Sequence, residues 1–301
     1  MPLWIPLTFA AAFLQNMRST LQKQLTGELS AIGATYVRFS FGLPVAILYL
    51  WGLHGFAGKA MPTPNGLFLV YCAVGGFTQI VGTALLVALF AYRNFAVGTT
   101  YSKTETVQTA LFGIVMLGDR PSAGAAAAIL VSLAGVVAIS MAKSHLTAMN
   151  FIRSLTERPT LMGLGTGAGF GISAVCYRAA SLSLGTPDFL VSAGYTLVTV
   201  LTIQTVAMTA WLALRAPSQL AATLRNWKVS SLVGLAGALA SAGWFTAMTI
   251  ENAAYVRALG QVELVFTFAS SHFLFHEKTE RLELIGIALV IGGLLILLFA
   301  R

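Results

Sequence analysis

Ten apolar stretches of membrane length follow one another along this chain, at about 3–22, 33–53, 67–91, 96–116, 122–141, 160–182, 189–214, 229–249, 254–275 and 282–300. An α-helix needs about 20 apolar residues to cross a hydrocarbon core of about 30 Å. Charged residues make up only 9% of the chain and the mean hydropathy is +0.80, which excludes a soluble domain of 301 residues. The stretches leave no room for a separate soluble domain. The expected fold is therefore an all-α integral membrane protein with ten transmembrane helices. The first stretch follows only Met1-Pro2, without a basic leader, and reads as a retained helix and not a cleaved signal.

The chain also repeats itself. A shift of 158 positions superimposes Glu105 on Glu263, Asn94 on Asn252, Thr109 on Thr267 and Gly135 on Gly293, and brings Asp119-Arg120 onto Glu277-Lys278. Over 94–135 against 252–293 there are seven identities in 42 positions, and the scarce polar residues are among them. The longest polar break, Lys143–Pro159, separates two sets of five stretches: a first repeat at 1–142, a linker at 143–158 and a second repeat at 159–301. Five is odd, so the second set enters the membrane the opposite way round. Such an inverted repeat is the frame of many alternating-access transporters, with the substrate site between the halves.

The net charge of +8 does not point to nucleic acid, because no basic run occurs and the lysines and arginines collect in short loops. Ten of these (Lys23, Arg93, Lys143, Arg153, Arg158, Arg215, Arg225, Lys228, Lys278 and Arg281) follow odd-numbered stretches, against Lys59, Arg120, Arg257 and Arg301 on the other side. By that count both termini lie outside. Segment 217–228 spaces Leu220, Leu224 and Trp227 at helical intervals beside Arg225 and Lys228, as a short interfacial helix does. Cys72 and Cys176 both fall inside spans, which excludes a disulfide framework.

Two other patterns have bland readings. Gly163, Gly165, Gly167, Gly169 and Gly171 alternate within an apolar span with no preceding strand, so they suit close helix packing and not a dinucleotide loop. His272, His276 and Glu280 sit at one-turn spacing but carry no known ligand signature, and they read as an interfacial pair with no metal.

The chemistry centres on Glu105 and Glu263. An ionisable side chain near the bilayer centre costs roughly 3 kcal/mol even on lenient scales and is a functional-site hypothesis by default. If the fourth helix began only after Glu105, about 12 residues would remain, too few to span. A carboxylate so placed can exchange a proton during transport; the alternative is a structural partner charge. Lys103 is two positions from Glu105, on a different face, and takes the position of Gln261 in the second repeat. Tyr101, Thr104 and Gln108 add hydrogen-bonding groups, the last two one turn apart. Arg18, Arg38 and Arg178 lie near helix ends, where snorkelling to headgroups competes with substrate contact. Substrate-binding candidates are thus Glu105, Glu263, Lys103, Gln261, Tyr101, Gln108, Arg38, Arg18 and Arg178. Four in-span cations (Arg18, Arg38, Lys103, Arg178) against two carboxylates favour an anionic or zwitterionic cargo.

These residues resemble a family. Glu105 followed by TVQTALFGIVMLGDRPS, and Glu263 followed by LVFTFASSHFLFHEKTE, are similar to the two repeats of the drug/metabolite transporter superfamily, in its EamA-like ten-helix branch. That family's fourth and ninth helices end in an apolar run and then Gly-Glu-Arg or similar; Gly118-Asp119-Arg120 matches closely and His276-Glu277-Lys278 more loosely. Arg38-Phe39 early in the second helix is a further likeness. The resemblance implies the fold and transport, and termini on the cytoplasmic side, against the charge count; orientation stays open here.

The resulting expectation is a bacterial-type inner-membrane secondary transporter that works as a monomer or homodimer, with no cofactor, metal or nucleic acid. It would export a small polar metabolite, an amino acid or organic anion, by alternating access coupled to protons. Competing readings are a lipid-linked intermediate flippase, a non-transporting membrane subunit and, last, an intramembrane enzyme, which lacks a paired catalytic constellation.

Overall fold

A computed structural model of the chain describes residues 2–25, 27–89, 101–144, 156–265 and 281–299. Twelve helices occur among them: α1 (Trp4–Leu25), α2 (Ala31–Ser40), α3 (Gly42–Gly55), α4 (Gly66–Leu89), α5 (Glu105–Leu117), α6 (Ala123–Ser144), α7 (Arg158–Ser183), α8 (Phe189–Arg215), α9 (Pro217–Arg225), α10 (Trp227–Ile250), α11 (Ala253–Gly260) and α12 (Arg281–Phe299). No strand is present among the described residues. Among the described residues, seven helical segments are long and apolar enough to cross a bilayer: α2 with α3, α4, α6, α7, α8, α10 and α12. The fourth and ninth expected spans run partly through 90–100 and 266–280, outside the described residues, as do His272, His276 and Glu280. Large apolar side chains such as Val115 and Leu214, each 83% exposed, face outward as lipid contact requires.

Local sequence explains the helix ends. The expected helix 33–53 is broken at Phe41 because Pro44 has no N–H and its ring crowds the carbonyl of Ser40. Asp188 caps α8 by accepting from the backbone N–H groups of Leu190 (3.0 Å) and Val191 (3.1 Å). Gly118, at φ +68°, stops α5: its N–H returns to the Ile114 carbonyl and that of Asp119 to the Gly113 carbonyl. The segment expected at the interface is the short helix α9, opened by Pro217.

The helices fall into two compact units. Unit 1 comprises Met1–Ile80 and Ser173–Asn252, and unit 2 comprises Val81–Ile172 and Ala253–Arg301. Unit 1 draws one segment from each half of the sequence, and unit 2 joins a middle segment, which runs on into the second half, to the last one.

In unit 1, α1 packs on α10, where a Cβ at Gly243 would lie 2.9 Å from that of Ala11. The first part of α4 meets the end of α7, where Gly75 admits the ring of Tyr177. The Tyr177 hydroxyl lies 2.9 Å from the Gly75 carbonyl and 3.1 Å from Gln79 Oε1, which also accepts from Gln204 Nε2 at 2.9 Å. This buried network satisfies groups that would otherwise be costly in an apolar interior. Lys59 and Asp188 form an ion pair of 2.6 Å between the α3–α4 and α7–α8 loops.

In unit 2, α6 and α12 pack so closely that a Cβ on Gly135 would sit 2.5 Å from the Gly286 carbonyl oxygen. One on Gly293 would sit 2.8 Å from that of Ala128.

The repeat offset recurs in the structure. Helices α2 and α8 begin 158 residues apart, as do α6 and α12. Under the same shift the α1–α10 pair maps onto the α7–α4 pair, and Gly135 against residue 286 maps onto Gly293 against residue 128.

Candidate functional site

The expected helices around Glu105 and Glu263 are both interrupted, at equivalent places. Tyr101 and Ser102 are helical, Lys103 and Thr104 form a turn, and α5 starts at Glu105. The Tyr101 carbonyl accepts from the Thr104 N–H (3.1 Å) and from the Thr104 hydroxyl (2.6 Å), a side chain competing with the helical ladder. In the second repeat α11 ends at Gly260 and Gln261 forms the turn, its N–H donating to the Ala258 carbonyl at 3.1 Å. Helix resumes over 262–265, so Glu263 lies just past the break. The shift of 158 places Lys103 on Gln261. Glycine at 260 weakens the helix before the second break, whereas the first is made by Thr104.

The breaks leave Glu105 in the first turn of α5, where the helix dipole favours a negative charge. Its carboxylate faces α11: Arg257 Nη1 lies 3.1 Å from Glu105 Oε1, with the two side chains only 13% and 16% exposed. One residue on, Thr106 Oγ1 accepts from Gln261 Nε2 at 3.0 Å. Glu105 Oε1 has no aligned hydrogen bond despite its neighbour, and Gln261 Oε1 is a second buried acceptor without one. Gln108 Nε2 donates to Thr104 Oγ1 at 2.7 Å, which braces the turn from the next helical turn.

Two of the alternating glycines bring α7 onto this segment. A Cβ at Gly167 would lie 2.9 Å from Gln108 Nε2 and 3.2 Å from the Glu105 nitrogen, and one at Gly171 would lie 3.2 Å from the Thr109 nitrogen. They serve close packing.

Unit 2 thus gathers Glu105, Gln261 and Gln108, with Tyr101 buried nearby in sequence and Lys103 in the turn. Glu263 is half-buried on the segment after Gln261. Arg18, Arg38 and Arg178 belong to unit 1. Arg178 Nη1 donates to the carbonyls of Met248 (2.8 Å) and Glu251, so it caps the end of α10, a structural use of the charge. The stems of Arg18 and Arg38 converge beside Gly237 of α10. Arg257 was grouped with the loop charges by its sequence position. It lies three residues inside the ninth stretch, and that was the signal for it.

The EamA-like transporter family model matches the chain twice, over residues 2–141 and 158–299. The chain belongs to the EamA-like transporter family. It is accordingly a multi-pass membrane transporter of the drug/metabolite superfamily, built of two repeats. No curated protein matches it. A solved crystal structure, described only as that of a protein, is similar with a TM-score of 0.71 at 17% identity, over 99% of this chain and 97% of that one. At that identity the likeness speaks for the fold alone.

Proposed function

We propose that the chain is a proton-coupled secondary transporter that exports a small polar metabolite, an amino acid or organic anion, across the inner membrane. Ten helices would form two inverted repeats, 1–142 and 159–301, joined by 143–158. The observation that carries this reading is the Glu105–Arg257 pair at a helix break that recurs at Gln261 in the second repeat. Broken helices expose backbone and side-chain groups where a membrane protein would otherwise hide them, and transporters use such places for substrate and coupling ions.

The chemistry follows from charge balance. While Glu105 is ionised, Arg257 is neutralised by it at 3.1 Å. A proton on Glu105 removes that attraction and releases Arg257 toward a substrate carboxylate. The buried acceptor Gln261 Oε1 suits a donor group on the cargo. Glu263, Lys103, Tyr101 and Gln108 would complete the lining. Alternation between two conformations, driven by differential binding of proton and cargo, moves the solute without a nucleotide.

The test is flux into proteoliposomes for a panel of amino acids and organic anions, with and without an imposed pH gradient. Gradient-stimulated movement of one solute supports the reading. Absence of flux for every member, with movement of a fluorescent lipid instead, would favour a flippase.

A further inference from the structure

Unit 1 carries a group of free positive charges at one end. Between Asp188 and Glu251 the chain runs through α8, α9 and α10 without a carboxylate, and its cations there are Arg215, Arg225 and Lys228. Helices α8 and α10 pack together and are joined at this end by α9. Asp188 and Glu251 flank the far ends of these helices, about 40 Å and about 36 Å along the two axes. Asp188 is there paired with Lys59. Among the described residues, Arg215, Arg225 and Lys228 take part in no hydrogen bond or ion pair, and all three are exposed. The one carboxylate that unit 1 brings to their end is Glu28, two residues before Ser30, whose N–H donates to Gln219 Oε1 of α9 at 2.8 Å.

The fold pins α9 along one side and turns the other outward. Gln219 accepts from Ser30, Ala222 packs on the core around Leu29 and Val233, and the Thr223 carbonyl accepts from Ser230 Oγ at 3.3 Å. On the free side Leu224 is 67% exposed, with Arg225 next to it, and Trp227, 57% exposed, opens α10 beside Lys228. On α8, exposed Trp211 stands one turn before Arg215 and therefore on the same face. Each cation thus has a large, exposed apolar side chain as its neighbour. The helix dipole favours Arg215 and Arg225 at C-terminal ends but opposes Lys228 in the first turn of α10, so it does not account for the group. Cations interleaved with tryptophan and leucine suit a membrane interface, where rings lie at the headgroup boundary and charges meet phosphates.

We infer that the α8–α9–α10 corner is a docking surface for an anionic phospholipid, with Arg215, Arg225 and Lys228 on its headgroup and Trp211, Leu224 and Trp227 against its acyl chains. Charge complementarity selects the class of lipid. Three cations against one carboxylate attract an anionic headgroup, and they gain little from phosphatidylcholine, whose choline offsets its phosphate. The outward apolar side chains select a lipid over a soluble phosphate compound, which has no chain to lay on them. A lipid held there joins the ends of two packed helices at the one end of the unit where cations stand without partners. The inference does not depend on the transport reading.

The experiment is native mass spectrometry of the detergent-purified chain, given phosphatidylglycerol and phosphatidylcholine of identical acyl chains in equal amounts. Phosphatidylglycerol is expected to be retained in preference. Each of Arg215→Gln, Arg225→Gln and Lys228→Gln should weaken its retention by about fivefold, the effect of one basic residue near an anionic surface. The three side chains are exposed and bond to nothing described, so these variants should elute as the parent does. Arg120→Gln removes another exposed cation, next to Asp119, and should leave retention unchanged. Equal retention of the two lipids, a preference that survives in the triple variant, or an equal loss in Arg120→Gln would each overturn the surface. Displacement of phosphatidylglycerol by glycerol 3-phosphate at equal concentration would assign the cations to a soluble phosphate compound and overturn the lipid as their occupant.

Discussion

Arg257 holds its Nη1 3.1 Å from Oε1 of Glu105, joining a helix of the second repeat to the first residue of a broken helix in the first. Either charge alone would be costly in an apolar setting, and the pair is what allows both to be there. Removing one partner of a buried pair costs about 3–5 kcal/mol. With 13% and 16% of the side chains still exposed, Glu105→Gln and Arg257→Gln should each fall at or below the lower end of that range. The double substitution should recover most of the loss. Thermal unfolding in detergent checks this, and additive losses in the double variant would argue against the pairing.

The α6–α12 contact predicts a sharp contrast among neighbouring glycines. Gly135→Ala places a methyl group 2.5 Å from a backbone carbonyl, and Gly293→Ala drives one into Ser132 Oγ. Each should lower stability by about 1–3 kcal/mol through overpacking. Gly292→Ala meets nothing within 4 Å and should be neutral or slightly stabilising. Melting temperatures of the three variants decide it.

At the membrane edge, the hydrogen bond from Lys59 and those from the cap N–H groups hold the Asp188 carboxyl below its usual range. A depressed folded-state value means that the stabilisation is present at neutral pH and is lost as pH falls through that value. Asp188→Ala should cost about 1 kcal/mol at pH 7, as for a lost N-cap, and much less in acid. Lys59→Met should move the acid loss to higher pH. Unfolding followed between pH 3 and pH 7 measures both.

The Tyr177–Gln79–Gln204 network predicts that Tyr177→Phe costs about 1–2 kcal/mol, since it leaves buried acceptors with one donor fewer. Phe245, stacked at 4.4 Å on the Tyr177 ring, should hold the phenyl group in place, so the loss reports the hydroxyl and not the packing.

Hydropathy and duplication made much of this architecture legible, because lipid imposes long apolar helices and a repeat copies their boundaries: α6 was expected at 122–141 and runs from Ala123 to Ser144. The breaks at Lys103 and Gln261 were not legible. They arise from backbone hydrogen bonds to the third residue back, and apolar periodicity does not register these. Arg257 was missed because charge counting assigns residues near span ends to loops, and a partner on another helix leaves no mark at fixed sequence spacing. The bonds of Arg178 to the carbonyls at the end of α10 were not legible either, since that helix's end is remote from it in sequence.

The most direct measurement is the pH dependence of solute flux in proteoliposomes carrying the parent chain, Glu105→Gln or Glu263→Gln. The account predicts gradient-stimulated flux in the parent and loss of that stimulation in Glu105→Gln. Unchanged flux with an unchanged pH response in both variants would contradict it.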